Sequence, residues 1–97
     1  MASDSPRERG RIVNRTNVTY RQLDKVLRSL GFSYRPAKHD PPGHIYEHEA
    51  SGAVIMLPAF TESDTIFEYQ LAAVRTELDN FGLADPSVFA AKLQKAG

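Results

Sequence analysis

Three histidines lie close together in the chain: His39, His44 and His48. Imidazole suits proton transfer near neutral pH, because its unperturbed pKa is about 6.5. In a strand, His44 and His48 would be about 13 Å apart, too far to share one zinc ion, and no helix places two histidines four residues apart. The spacing therefore favours proton transfer over metal binding, and a purely structural role for the histidines stays open.

Other catalytic motifs are absent from the sequence. There is no glycine-rich phosphate loop, no Gly-x-Ser-x-Gly element and no dinucleotide-binding fingerprint. The chain also has no cysteine, which excludes disulfides, thiolate metal sites and cysteine nucleophiles. Nucleotide hydrolysis, acyl transfer by a serine triad and hydride transfer therefore have no support, and we predict a protein without cofactor or metal.

The charges are unevenly distributed along the 97 residues, although the formal net charge is zero. Residues 1–38 contain nine basic and three acidic side chains, whereas residues 39–97 contain three basic and nine acidic ones. A basic first half is typical of a surface for RNA or for an acidic protein partner, and an ordinary solvated surface is the alternative. No apolar segment approaches the roughly 20 residues that span a bilayer, so we expect a cytoplasmic protein.

The composition, 41% hydrophobic and 25% charged, predicts one small folded domain. Residues 1–18 show no apolar period and predict a flexible basic arm. Thr19 and Gln22 match a capping box, the leucines and valine that follow form one helical stripe, and Gly31 supplies the left-handed end of that helix.

Three strands are predicted after this helix. Residues 32–35 form the first, and Pro36 with the Pro-Pro-Gly segment at 41–43 predicts irregular structure before the next. In residues 44–48, apolar and polar side chains alternate, and residues 53–57 form a β-branched run. A glycine-containing turn separates the two segments, which indicates a hairpin.

Two helices complete the predicted domain over residues 19–97. Thr65 and Glu68 match a second capping box for a helix over 65–81, and Asp85 with Pro86 predicts the start of a short C-terminal helix. The expected fold class is therefore α+β: a helix, a three-stranded antiparallel sheet, a helix and a short terminal helix. Helices on one sheet face leave the other face open, and we expect that open face to be the working surface.

Six short segments lie along this pattern: Leu30-Gly31-Phe32, Pro42-Gly43-His44, Ile45-Tyr46-Glu47-His48, Ser51-Gly52, Val54-Ile55-Met56-Leu57-Pro58 and Leu71-Ala72-Ala73-Val74-Arg75. Together they resemble the HicA (YcfA-like) toxins of bacterial toxin–antitoxin pairs. The resemblance covers about residues 19–82, and the terminal helix around Asp85 to Leu93 is similar to a longer branch of the family. The resemblance implies a double-stranded-RNA-binding-domain-like (dsRBD-like) fold, metal-free endoribonuclease activity on mRNA with one essential histidine, and a HicB-type antitoxin that covers the active site.

The sequence departs from the family pattern at the catalytic position. In the family, one further residue separates the catalytic histidine from the aliphatic–aromatic pair of the strand, whereas His44 directly precedes Ile45. An alignment without a gap puts the catalytic position at Gly43, and neighbouring strand residues point to opposite faces. Either a loop deletion or a bulge returns His44 to the catalytic position, or the chain is a family member without nuclease activity.

The sequence nominates five residues for an RNA site. His44 is the candidate catalyst for proton transfer, and Arg35 and Lys38 are candidate cations for the phosphate, with His39 in reserve. Tyr46 either stacks on a base or packs in the core. The alternative function is a non-catalytic interaction module that keeps the fold and binds a protein partner.

Overall fold

The computed structural model describes residues 14–38, 42–61 and 63–97. The elements, in chain order, are β1 (Arg15–Thr19), α1 (Tyr20–Ser29), β2 (Ser33–Ala37), β3 (Gly43–His48), β4 (Ala53–Pro58), β5 (Thr65–Phe67), α2 (Glu68–Asn80) and α3 (Pro86–Ala96). This arrangement confirms the α+β class with a three-stranded antiparallel sheet and three helices. Within the described ranges, no helix is long and apolar enough to cross a membrane.

The main sheet has the order β2-β3-β4, and both pairings are antiparallel. The predicted hairpin is confirmed: β3 and β4 pair without interruption from Gly43↔Pro58 to His48↔Ala53, and Gly52 adopts a positive φ of 82° in the turn. Pro36, which was expected to interrupt regular structure, instead lies within β2. The sheet tolerates it because β2 is an edge strand, where a missing backbone N–H need not break the ladder.

The first helix begins and ends as the sequence predicts. The Thr19 side chain accepts a hydrogen bond from the Gln22 backbone N–H, and the Gln22 side chain accepts one from the Thr19 N–H, which completes the capping box. Gly31 follows the helix with a φ of 98°. The C-terminal helix is also confirmed, because the Asp85 side chain accepts from the Val88 N–H and Pro86 occupies the first turn.

A second, two-stranded sheet was not predicted. β1 pairs with β5, so residues 15–18 belong to the folded domain, and the boundary expected at residue 18 is wrong; residues 1–13 lie outside the described residues. The predicted capping box at Thr65 is also wrong, because Thr65 lies in β5 opposite Thr19. The Glu68 N–H that begins α2 donates instead to the backbone oxygen of Asn14, at 2.8 Å.

The two faces of the main sheet differ in what covers them. The helices pack on one face, where one apolar core joins all three of them to β3 and β4. The largest fully buried members of this core are Tyr46, Phe89, Leu23, Leu27, Ile66 and Leu78. The other face presents Arg35, Glu47, Val54 and Met56.

Candidate functional site

His44 lies on the helix-facing side of the sheet. Its cross-strand partners are Pro36 in β2 and Leu57 in β4, and Leu57 is buried in the core. The pairing of β3 is regular on both sides, so within the strand there is no bulge that would turn His44 to the outer face. His44 is half-buried, near the start of β3, and lines a pocket together with residues of α1.

Two aromatic side chains hold the His44 ring. The Tyr34 hydroxyl lies 2.6 Å from His44 Nδ1, at hydrogen-bond distance. The Phe60 ring lies against the imidazole with 4.0 Å between centroids and 30° between planes. Within the described ranges, the second ring nitrogen, Nε2, has no hydrogen-bond partner, so it is the nitrogen that a ligand would meet.

An acidic side chain connects α1 to the sheet beside this pair. Asp24 accepts a hydrogen bond from the Tyr46 hydroxyl at 2.7 Å and pairs with Arg28 Nε, whose distance to each carboxylate oxygen is 3.0 Å. The Asp24 carboxylate raises the pKa of Arg28 above its usual range. The Arg28 guanidinium also lies over the Tyr34 ring, 5.4 Å from its centroid. Arg28 is thus fixed as a cation next to the partner of His44.

These groups line one pocket of about 210 Å³ between α1 and the sheet, with the rings of Tyr20 and Phe60 in its wall. A titratable imidazole, a hydroxyl and a guanidinium face a common space. Such a set can bind an anion with the guanidinium and exchange a proton through the imidazole. The pocket is therefore the candidate functional site.

Gly43, the alternative catalytic position, has no room for a side chain. A Cβ added there would lie 2.6 Å from the backbone oxygen of Leu57. Real Cβ atoms do not approach a backbone oxygen so closely, and the opposing strand cannot move without breaking its pairing. In this backbone, His44 is the residue of the loop–strand junction that can offer an imidazole.

The other predicted site residues are not gathered around His44. Arg35 lies on the outer sheet face and forms an ion pair with Glu47 at 3.0 Å. Lys38 is exposed just beyond β2, and His39 lies outside the described residues. Tyr46 has its ring in the core and is only 1% exposed, so in this structure it packs rather than offering a face to a base. Burial and the hydrogen bond to Asp24 raise the pKa of Tyr46 above its usual range.

His48 has a local structural role. Its Nδ1 accepts a hydrogen bond from the Ser51 backbone N–H at 3.2 Å and lies 2.8 Å from the Ser51 hydroxyl, so it closes the β3–β4 turn.

Sequence reasoning missed Asp24, Arg28 and Tyr34. Asp24 and Arg28 are four residues apart on α1, a spacing that predicts an ion pair on one helix face. The sequence has no corresponding signal for Tyr34, which comes from the sheet. Among the described residues, no group of three or more His, Cys, Asp or Glu side chains could hold a metal ion.

Comparison with models of known protein families, with curated proteins and with solved structures found no match to this chain.

Proposed function

We propose that this protein binds RNA and cleaves it with His44, in the manner of the HicA-type toxins that its motifs resemble. The observation that carries the proposal is the hydrogen bond between His44 and Tyr34 beside the fixed cation Arg28, in a pocket open to solvent. A helix, α1, followed by the three-stranded sheet β2-β3-β4 and, after the short strand β5, a second helix, α2, supports a dsRBD-like fold. A HicB-type antitoxin covering this pocket is the protein partner that the proposal implies.

The reaction needs proton transfer and charge stabilisation. The ribose 2′-hydroxyl attacks the adjacent phosphorus, the O2′–P bond forms, and the P–O5′ bond breaks. The 2′-hydroxyl loses its proton to a base, the departing O5′ gains one from an acid, and the products end in a 2′,3′-cyclic phosphate and a 5′-hydroxyl. The nucleophile belongs to the substrate, so the protein supplies no covalent intermediate.

His44 serves one of these proton transfers through Nε2. As a neutral imidazole with Nδ1–H donating to the Tyr34 oxygen, His44 accepts the proton of the 2′-hydroxyl at Nε2; as an imidazolium, with Nδ1–H again donating to the Tyr34 oxygen, it gives its Nε2 proton to the leaving oxygen. Tyr34 orients the ring in both cases. The terminal nitrogens of Arg28 bind the non-bridging phosphate oxygens, because Asp24 occupies only the Nε side of the guanidinium.

The test is cleavage of a single-stranded ribo-oligonucleotide by purified protein, with detection of 2′,3′-cyclic phosphate ends. His44→Ala should lower the rate by about 10²- to 10⁴-fold, the usual contribution of one general acid or base. Arg75→Ala is the control, because Arg75 is exposed on α2 and does not line the pocket. The same oligonucleotide with 2′-deoxyribose should not be cleaved. Equal rates for the wild-type protein and His44→Ala would refute the histidine mechanism.

A second candidate function, a module that binds a protein partner, is favoured by the outer edge of β4. Within the described residues, this edge has no further strand partner; Met56 in the strand and Tyr69 on α2 are 66% and 60% exposed and line one pocket. An extended segment of a partner could pair with this edge and place apolar side chains against them. This function predicts that Met56→Lys weakens partner binding, whereas His44→Ala changes nothing.

A further inference from the structure

A groove between α1 and α3, away from the His44 pocket, is lined by three lysines. Lys25 comes from α1, and Lys92 and Lys95 come from α3; Val26, Ser29 and Ala96 complete the lining of a space of about 270 Å³. None of the three lysines forms an ion pair with a carboxylate in residues 14–38, 42–61 and 63–97. The three lysine side chains that line this groove carry like charges, which a bound anion offsets.

The helices that form this groove carry the positive charge of the domain. α1 and α3 together have five basic side chains against one acidic side chain, Asp24, which is already paired with Arg28. α2 has the opposite balance, with three acidic side chains against one basic. The zero net charge of the whole chain therefore hides a cationic α1–α3 surface, which attracts a polyanion locally.

The groove and the His44 pocket lie on adjoining faces of α1. Asp24 and Arg28 line the pocket, whereas Lys25 and Ser29 line the groove. The two members of each pair are four residues apart. Lys25 directly follows Asp24, and Ser29 directly follows Arg28; one residue corresponds to a rotation of about 100° around the helix. A strand of nucleic acid that crosses the exposed side of α1 thus meets both.

We infer that the Lys25–Lys92–Lys95 groove binds phosphates of an RNA backbone and holds the strand whose phosphodiester enters the His44 pocket. This inference rests on the proposed function and adds a second contact region to it. α3, at residues 86–96, lies beyond the main match to the HicA motifs, which covers about residues 19–82. Lysines contact phosphates without reading the bases, so the groove contributes affinity without sequence preference.

The experiment measures the affinity for a single-stranded RNA made resistant to cleavage by 2′-O-methylation, at several salt concentrations. The triple variant Lys25→Gln/Lys92→Gln/Lys95→Gln should reduce the slope of log K against log salt by about 2, since each phosphate contact contributes about 0.7. At about 0.1 M salt this corresponds to about a hundredfold weaker binding. The matched control, Lys25→Arg/Lys92→Arg/Lys95→Arg, keeps the charges and should keep the slope.

The outcomes separate the groove from the catalytic proposal. RNA binding by the wild-type protein with the same slope in the glutamine variant overturns the groove alone. Absence of RNA binding by the wild-type protein overturns both. Lysine-dependent binding of polyglutamate instead of RNA assigns the groove to an acidic protein partner and overturns the inference. Thermal unfolding of both triple variants checks that each is folded, and a glutamine variant that is unfolded is replaced by Lys92→Gln alone, with an expected slope change of about 0.7.

Discussion

At the residue scale, Asp24 is the side chain that joins the candidate site to the core. It accepts from the buried Tyr46 hydroxyl and holds Arg28 at the mouth of the pocket. These two hydrogen-bond donors compensate the cost of placing the carboxylate charge at the edge of the apolar core. The position of the proposed phosphate-binding cation therefore depends on a tyrosine whose ring lies in the core.

Removing this tyrosine hydroxyl tests the connection. Tyr46→Phe should destabilise the fold by about 0.5 to 1.5 kcal/mol, the usual net worth of one hydrogen bond, and lower Tm by a few degrees. Tyr69→Phe is the matched control, because Tyr69 is exposed on α2 and the described residues offer its hydroxyl no hydrogen-bond partner. Thermal unfolding followed by circular dichroism measures both, and equal shifts for the two variants would contradict the role given to Tyr46.

At the element scale, hydrogen bonds to the first turn decide where each helix begins. α1 and α3 have side-chain caps, whereas α2 has none, and its first N–H donates to the backbone oxygen of Asn14, just before β1. The cap of α3 is the one with a titratable group: Asp85 accepts from the Val88 N–H at 2.9 Å and from the Ser87 hydroxyl at 2.8 Å. These hydrogen bonds hold the pKa of Asp85 below its usual range.

The stability of the α3 cap should depend on acid pH. The folded-state pKa of Asp85 is depressed, so its contribution is complete above the unfolded pKa of about 3.9 and is lost as the pH falls through the folded value. Asp85→Asn keeps a good cap without a titratable group. Any Tm advantage of the wild-type protein over Asp85→Asn at about pH 7 should shrink or reverse at about pH 2 to 3. A Tm difference that stays constant over this range would contradict the cap's titration.

At the scale of the whole molecule, the β1–β5 sheet connects segments fifty residues apart. The Arg15 guanidinium donates to the Thr65 backbone oxygen at 2.6 Å, and the Thr16 hydroxyl donates to the Ile66 oxygen at 2.9 Å. The buried hydrogen bond from the Tyr20 hydroxyl to the Gln70 side chain, at 2.6 Å, spans the same separation. These contacts tie the start of α1 to the start of α2.

Truncation measures what this connection contributes. A chain that starts at Val18 lacks Asn14, Arg15 and Thr16 and so loses their contacts, whereas a chain that starts at Asn14 retains them. Each lost hydrogen bond is worth about 1 kcal/mol, and each kcal/mol lowers Tm by about 4 to 8 °C in a domain of this size. The shorter chain should therefore melt several degrees lower; equal Tm values would restore the domain boundary at residue 18.

Local patterns were sufficient to predict most elements of this protein. The Thr19–Gln22 box, the hairpin around Gly52 and the Asp85–Pro86 helix start depend on neighbouring residues, so the sequence predicts them directly. The start of α2 was misplaced because its first N–H finds a partner in Asn14, and no pattern within residues 65–68 contains that information. The α+β class itself required no long-range information.

The candidate site shows the same division. Residue type nominated three histidines, because imidazole suits proton transfer, and the resemblance to the HicA pattern singled out His44 at the loop–strand junction. Its companions Tyr34 and Arg28 were decided by the tertiary structure: strand register brings Tyr34 beside His44, and the packing of α1 on the sheet brings Arg28 over Tyr34. Arg35, nearer to His44 along the pairing of β2 and β3, lies on the opposite face. Side-chain alternation and helix docking are properties of the assembled sheet, which is why the sequence determined the imidazole and only the fold determined what surrounds it.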